Sequence, residues 1–192
     1  MKIEICHQQG VSMIEMLVTM VILMIGLLGV AGLMAQSQRA EMESYQRVQA
    51  NVIVRDMVSR MNANRKVASC YVTTGMTPAY LGTGAGTVAA SACTTVGTAQ
   101  ERAMAVQDMN AWSNLLAGAG ESAGGTNTGA MIGGRGCVSF DAATNTYMVS
   151  VAWQGVGLTT TPPASLPCAA NLYSNEAQRR VVSLTIEMAT LL

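Results

Sequence analysis

The hydrophobic and polar positions divide the chain into an all-apolar run, an amphipathic run and a mixed remainder. From Met16 to Ala35 there are twenty consecutive residues whose only polar side chain is Thr19. At 1.5 Å per residue, that is enough helix to cross a hydrocarbon core of roughly 30 Å. Beyond it the pattern turns amphipathic, and no glycine or proline occurs between Gly32 and Gly75. Tyr45, Val48 and Val52 recur at helical spacing, as do Val54, Met57, Val58 and Met61. Arg39–Glu43, Glu43–Arg47 and Asp56–Arg60 place opposite charges four residues apart, which supports an exposed helical face. One helix of about fifty residues, roughly 75 Å long, is expected from near Val11 to near Asn64. Its apolar stripe must cover a partner further along the chain.

The remainder reads as α+β. A short β-like run, Val67–Thr73, leads into a Gly/Thr/Ala/Ser-rich stretch. Gln100–Leu116 reads as a second, short helix, with Met104, Asp108, Trp112 and Leu116 four apart and Trp112 as a core anchor. Asp108 is expected to orient that tryptophan or to cap a turn. Gly136–Phe140 and Tyr147–Trp153 flank Asp141–Thr146, whose Asp and Asn suit a hairpin turn. Tyr147, Val149, Val151 and Trp153 share the face turned to the core. After a loop with Pro162, Pro163 and Pro167, Val181–Thr190 places Val182, Leu184, Ile186 and Met188 on one face. Three strands after helices predict a small antiparallel sheet packed on the long helix.

Composition narrows the chemistry. Eleven basic residues balance eleven acidic ones, and only 11% of the 192 residues are charged. No basic patch of the kind nucleic acid requires is present, and the Arg179-Arg180 pair reads as solvated. Aromatics make up 4% of the chain, so the soluble part has a modest core that calls for covalent bracing. Of the five cysteines, Cys6 precedes the apolar run. Cys70, Cys93, Cys137 and Cys168 follow it, an even set that reads as two disulfides in an oxidising compartment. Four cysteines permit three pairings, and Cys70 with Cys93 and Cys137 with Cys168 are favoured because each closes a short loop. Zinc is disfavoured, since there is no Cys-x-x-Cys pair and the single histidine, His7, also precedes the apolar run. Without a histidine beyond that run, the commonest general base is missing. The glycine clusters at Gly82–Gly86 and Gly118–Gly136 lack the lysine of a phosphate loop and read as flexible surface loops. No enzyme, cofactor or metal site is expected.

One carboxylate stands apart. Glu15 lies at the mouth of the apolar helix, where an ionisable group is costly and asks for a function. Before it, a short polar segment ends at Gly10. A secretory signal would have a shorter apolar core followed by its cleavage site; here the plausible cut precedes a long core, which would stay in the mature chain. Gly10-Val11-Ser12-Met13-Ile14-Glu15 resembles the leader junction of type IV prepilins and of the pseudopilins of type II secretion. Val11 stands where phenylalanine is usual, the leader has a single lysine, and the helix lacks the proline that pilins generally carry. Two later blocks resemble the PilV-type minor pilins: Asp56-Met57-Val58-Ser59-Arg60-Met61-Asn62-Ala63-Asn64, and Asp108-x-x-x-Trp112-x-x-x-Leu116 followed by GCVSF and YMVSVAWQG. The terminal RRVVSLTIEM fits that family's last strand.

The resemblance implies a pilin-like fold and four segments: a leader at 1–10, a transmembrane or filament-core half-helix at 11–35, an amphipathic half at 36–66 and a periplasmic head at 67–192. It implies cleavage after Gly10 by a prepilin peptidase, N-methylation of Val11, and pairing of Glu15 with the N-terminal amine of a neighbouring subunit as helices bundle. It implies as partners the major pilin, other minor pilins, the inner-membrane assembly platform and a tip adhesin. Location would be the inner membrane before assembly and the pilus tip afterwards, in support of twitching motility and adhesion. The rival expectations are a minor pseudopilin of type II secretion, an anchored periplasmic binding protein that never polymerises and, least favoured, an anchored enzyme. Gly26, Gly29 and Gly32 allow either close helix contact or local unwinding, or simply reflect how common glycine is in membrane helices.

Overall fold

A computed structural model describes residues 12–89, 93–120, 122–123, 126–127 and 131–188. The chain divides into two compact units, Met1–Met42 and Glu43–Leu192. Helix α1 spans Met13–Ala63 as one 51-residue element. In the first unit every described residue is exposed, so the apolar run has no cover among the described residues. Thr19 returns its hydroxyl to the Met16 carbonyl at 2.9 Å, which satisfies the run's lone polar side chain within its own helix.

The second unit has an α+β, type IV pilin-like arrangement. After α1 come β1 (Leu81–Gly82), α2 (Ala99–Leu116), a two-stranded ribbon of β2 (Ser122–Ala123) and β3 (Thr126–Asn127), then β4 (Arg135–Asp141), β5 (Thr146–Gln154) and β6 (Arg179–Glu187). Four strands form one antiparallel sheet in the order β1-β4-β5-β6. Ala50, Ile53, Val54, Met57 and Met61 of α1 enter the core with Ala105, Met109, Trp112 and Leu116 of α2 and with Tyr147, Val149, Val151 and Trp153 of β5. The β5 face is therefore the one its alternation predicts. Trp112 is fully buried and donates its indole N–H to the Ile53 carbonyl at 2.8 Å, which ties α2 to α1 at the centre of the core.

Several expectations are corrected. Tyr45, Val48 and Val52 are exposed rather than inward; the buried stripe runs through Ala50, Ile53, Val54 and Met57, one step round the helix. Val67–Thr73 forms no strand. Residues Arg65–Tyr71 wind instead as a 3-10 helix, whose three-residue turn puts Val67 with Cys70 and Ala68 with Tyr71, all four buried, three apart on the inner side. Met104 is exposed, and Ala105 and Met109 take the inner face of α2. A fourth strand, β1, arises within the glycine cluster assigned to a surface loop. There Gly82, at φ +100°, sits where a Cβ would meet Leu116 and the backbone of Gly134. Gly136, the end of the second glycine cluster, belongs to β4 as the strand reading Gly136–Phe140 has it, and lies beneath Trp112, where a Cβ would collide with the indole. The last strand begins two residues before Val181 and ends at Glu187; Thr190 lies outside the described residues.

The β4–β5 turn is as expected. Asp141 accepts from the Ala143 N–H at 2.9 Å and from the Thr144 hydroxyl at 3.0 Å, and Asn145 adopts φ +54°, a conformation asparagine tolerates. A second, small core lies on the sheet's other face. There Ala152, Cys168 and Ala169 are buried together with Tyr173 and Val181 packed beside them.

Candidate functional site

The sequence concentrates chemistry at the start of α1 and in three polar or covalent clusters of the second unit. Gly10 and Val11 lie outside the described residues. Glu15 is in the first turn of α1, where its N–H bonds the Ser12 carbonyl at 3.0 Å. Its side chain is exposed, and among the described residues no cation pairs with it. A carboxylate in a helix's first turn favours the N-terminal end of the macrodipole. At the head of an uncovered apolar helix it also provides a negative charge for a cation supplied from outside.

The Asp56–Asn64 block ends α1 and does structural work. Met57 and Met61 are fully buried. On the neighbouring face, Arg60 donates to Asp56 at 2.8 Å and to Asp108 of α2 at 3.0 Å. Tyr71 donates its hydroxyl to Asp108 at 2.6 Å, and Asn64 donates to the Glu101 carbonyl at 2.8 Å. Asp108 thus neither orients Trp112 nor caps a turn: it joins α1, the 3-10 helix and α2. Its hydrogen bond acts in the same direction as burial, the larger cause, to push the Tyr71 phenol above its ordinary pKa and keep it a neutral donor. The hydrogen bond to Asp56, opposed by burial and reinforced by Asp108, holds Arg60 more firmly protonated.

Both arginines of the 179–180 pair are buried rather than solvated, at 3% and 6% exposure. Arg179 donates to Glu176 at 2.6 Å and to the carbonyls of Leu166 and Cys168. Arg180 donates to Glu43 at 2.5 Å and to the carbonyls of Ala177 and Gly157. Glu43 therefore pairs across the fold instead of with Arg39 or Arg47 on its own helix. Each buried guanidinium has a carboxylate and two carbonyls to accept its hydrogens, which offsets the cost of taking it out of water.

Cys70 is bonded to Cys93 and Cys137 to Cys168, with Cα–Cα distances of 5.2 and 5.7 Å. The first bridge ties the 3-10 helix to the segment before α2. The second fastens the proline-rich excursion to the back of β4. Among the described residues no group of three or more His, Cys, Asp or Glu could hold a metal ion. A cavity of about 610 Å³ beside the 72–89 loop is lined mainly by Thr, Gly, Val and Ala, with Tyr80 as its sole titratable side chain. A second, of about 500 Å³, borders Arg60, Glu101 and Asp108, whose polar atoms are engaged with one another or with the fold.

Sequence reasoning missed three devices. The Thr98-x-x-Glu101 capping box starts α2, with Glu101 N–H to Thr98 Oγ1 at 3.2 Å and Thr98 N–H to Glu101 Oε2 at 2.7 Å; its spacing is a readable signal. The burial of Arg179 and Arg180, and the cation–π stacking of Arg135 between Tyr80 and Tyr173 at 5.3 and 5.1 Å, left no such local signal.

Comparison with known proteins bears on the start of the chain. Residues 5–31 match the family model described as the prokaryotic N-terminal methylation motif. No curated protein and no solved structure matches the chain. A methylation motif of this kind, at the head of an apolar helix long enough to span a membrane, fits membrane anchoring and supports a type IV pilin-like protein with a pilin- or pseudopilin-like role.

Proposed function

We propose that the protein is a minor pilin of the type IV pilus. It is cut after Gly10 by a prepilin peptidase, N-methylated on Val11, and incorporated in a minor-pilin complex that primes assembly at the pilus tip. The observation that carries this reading is Glu15. It is an exposed carboxylate, unpaired among the described residues, in the first turn of a helix whose apolar residues as far as Met42 are all exposed, within a matched methylation motif.

The physical logic is charge compensation. Cleavage creates an ammonium at Val11, and methylation keeps it charged. When the helix leaves lipid for a bundle of like helices, Glu15 and a neighbour's ammonium lose hydration together and neutralise each other. Removing one partner would leave a buried, unpaired charge, which costs about 3–5 kcal/mol. The second unit supports the subgroup reading, since the Asp56–Asn64 block and the Asp108–Leu116 helix meet in one hydrogen-bonded cluster.

The test is Glu15→Val with sheared pili and membrane fractions assayed side by side. Normal membrane level with loss from the pilus fraction supports the reading, and undiminished incorporation contradicts it. A minor pseudopilin of type II secretion shares the leader and the Glu15 logic. Deletion separates the two: loss of pili favours the pilus, and loss of exoprotein secretion with pili intact favours the pseudopilin.

A further inference from the structure

The two edges of the four-stranded sheet differ. On the β1 side the edge is closed. Leu81 and Gly82 pair with Gly136 and Arg135, the Gly82 N–H goes to the Ser113 hydroxyl at 2.9 Å, and Thr73 takes both backbone groups of Val138. On the other side β6 pairs with β5 over nine consecutive positions without a bulge. Among the described residues, no backbone hydrogen bond reaches Val181–Glu187 from beyond that ladder. Natural edges are guarded by Lys, Pro, bulges or shortness. This one has none of these between Val181 and Ile186, and Arg179 and Arg180, which could have guarded its start, are drawn inward to Glu176 and Glu43. Leu184 remains 39% exposed midway along it, a position where another strand would cover it.

We propose that the β6 edge is an assembly surface that accepts the sheet edge of a different, neighbouring pilin-like head by β-strand addition. The inference rests on the pilin reading above. The hydrogen-bonding pattern of a free edge is complementary only to an extended backbone, which sets the chemistry of the occupant. Direction sets the rest. Every neighbouring pair in the sheet is antiparallel, so a head standing in the same orientation offers its β1-side edge antiparallel to β6. This chain's own β1-side edge is two residues long and closed, so a second copy is a poor donor. Twofold pairing of β6 with β6 is excluded for chains anchored in one membrane. Its axis is normal to the sheet, and it would reverse the α1 segment packed on that sheet. The occupant is therefore an edge strand of another pilin-type subunit, with an apolar residue placed over Leu184.

The experiment uses the full chain in its host and in detergent. Leu184→Lys and Thr185→Lys place a guard on the edge at exposed positions. Hydrogen exchange of the core amides in detergent verifies folding. The expected result is normal membrane level and N-terminal processing with about a tenfold fall in the sheared-pilus fraction, together with alternate amides of residues 181–187 that exchange freely in detergent and are protected in pili. Normal incorporation of both variants, with β6 amides equally exposed in both states, overturns the edge proposal and leaves the Glu15 reading standing. Absence of the wild-type chain from pili overturns both. In a Cys6→Ser background, Leu184→Cys giving a self-linked disulfide dimer would identify a second copy as occupant and overturn the assignment to a different subunit.

Discussion

Arg180 reaches 137 positions back along the chain to Glu43, and its Nε donates to that carboxylate at 2.5 Å. The pair joins the last strand to the first residue of the second unit, with Arg180 only 6% exposed. Glu43→Gln should therefore lower stability by about 2–3 kcal/mol, the scale of a charge-assisted hydrogen bond left unmade beside a buried guanidinium. Arg39→Ala, which removes the expected same-helix partner, should change it by less than about 0.5 kcal/mol. Urea unfolding of the two variants checks the contrast.

Tyr71 and Asp108 form a second such relationship, at 2.6 Å. Tyr71→Phe and Asp108→Ala should each cost about 1.5–3 kcal/mol, as expected for a hydrogen bond to a charged group. In a double-mutant cycle their effects should be clearly less than additive, because either change removes the same bond. Additive losses would show that Asp108 acts through Arg60 alone.

Gly136 is set by Trp112. Because an added Cβ would overlap the indole ring, Gly136→Ala must displace the side chain that anchors both helices. A loss of at least about 2 kcal/mol is expected from overpacking of this kind, with a blue or red shift of tryptophan emission as the local readout.

The Arg179–Glu176 pair predicts a pH dependence. Burial raises the Glu176 pKa, but the hydrogen bond from Arg179 and the Asn171 N–H outweigh it and leave the folded value below the ordinary one. A depressed carboxylate contributes stability that is present above its unfolded pKa, about 4.3, and is lost as pH falls through the folded value. Melting curves of wild type and Glu176→Gln should therefore differ at pH 7, draw together as pH falls below about 4.3, and meet only below the depressed folded value.

Much of the fold was legible because it is written in local periodicity. The apolar run, α2, the Asp141–Thr146 turn and the β5 face follow from spacing alone. The misread parts depend on distant partners. Nothing near Arg179 and Arg180 announces Glu176 and Glu43 as buried counterions, and nothing near Gly82 or Gly136 announces that Leu116 and Trp112 press on their Cα atoms. Tyr45, Val48 and Val52 have a helical period as good as that of the true core stripe, so periodicity could not choose between the two faces. At the candidate site, Glu15 was conspicuous because charge is rare in an apolar run. The surroundings of Gly10 and Val11 lie outside the described residues.

The central claim is that the chain is processed at the Gly10–Val11 bond and that Glu15 then serves a neighbour's amine. The mass of the mature N-terminal peptide from membrane-extracted protein tests its first step directly. The account predicts a peptide beginning at N-methylated Val11. A chain retaining Met1, or cut on the far side of the apolar helix, would contradict it.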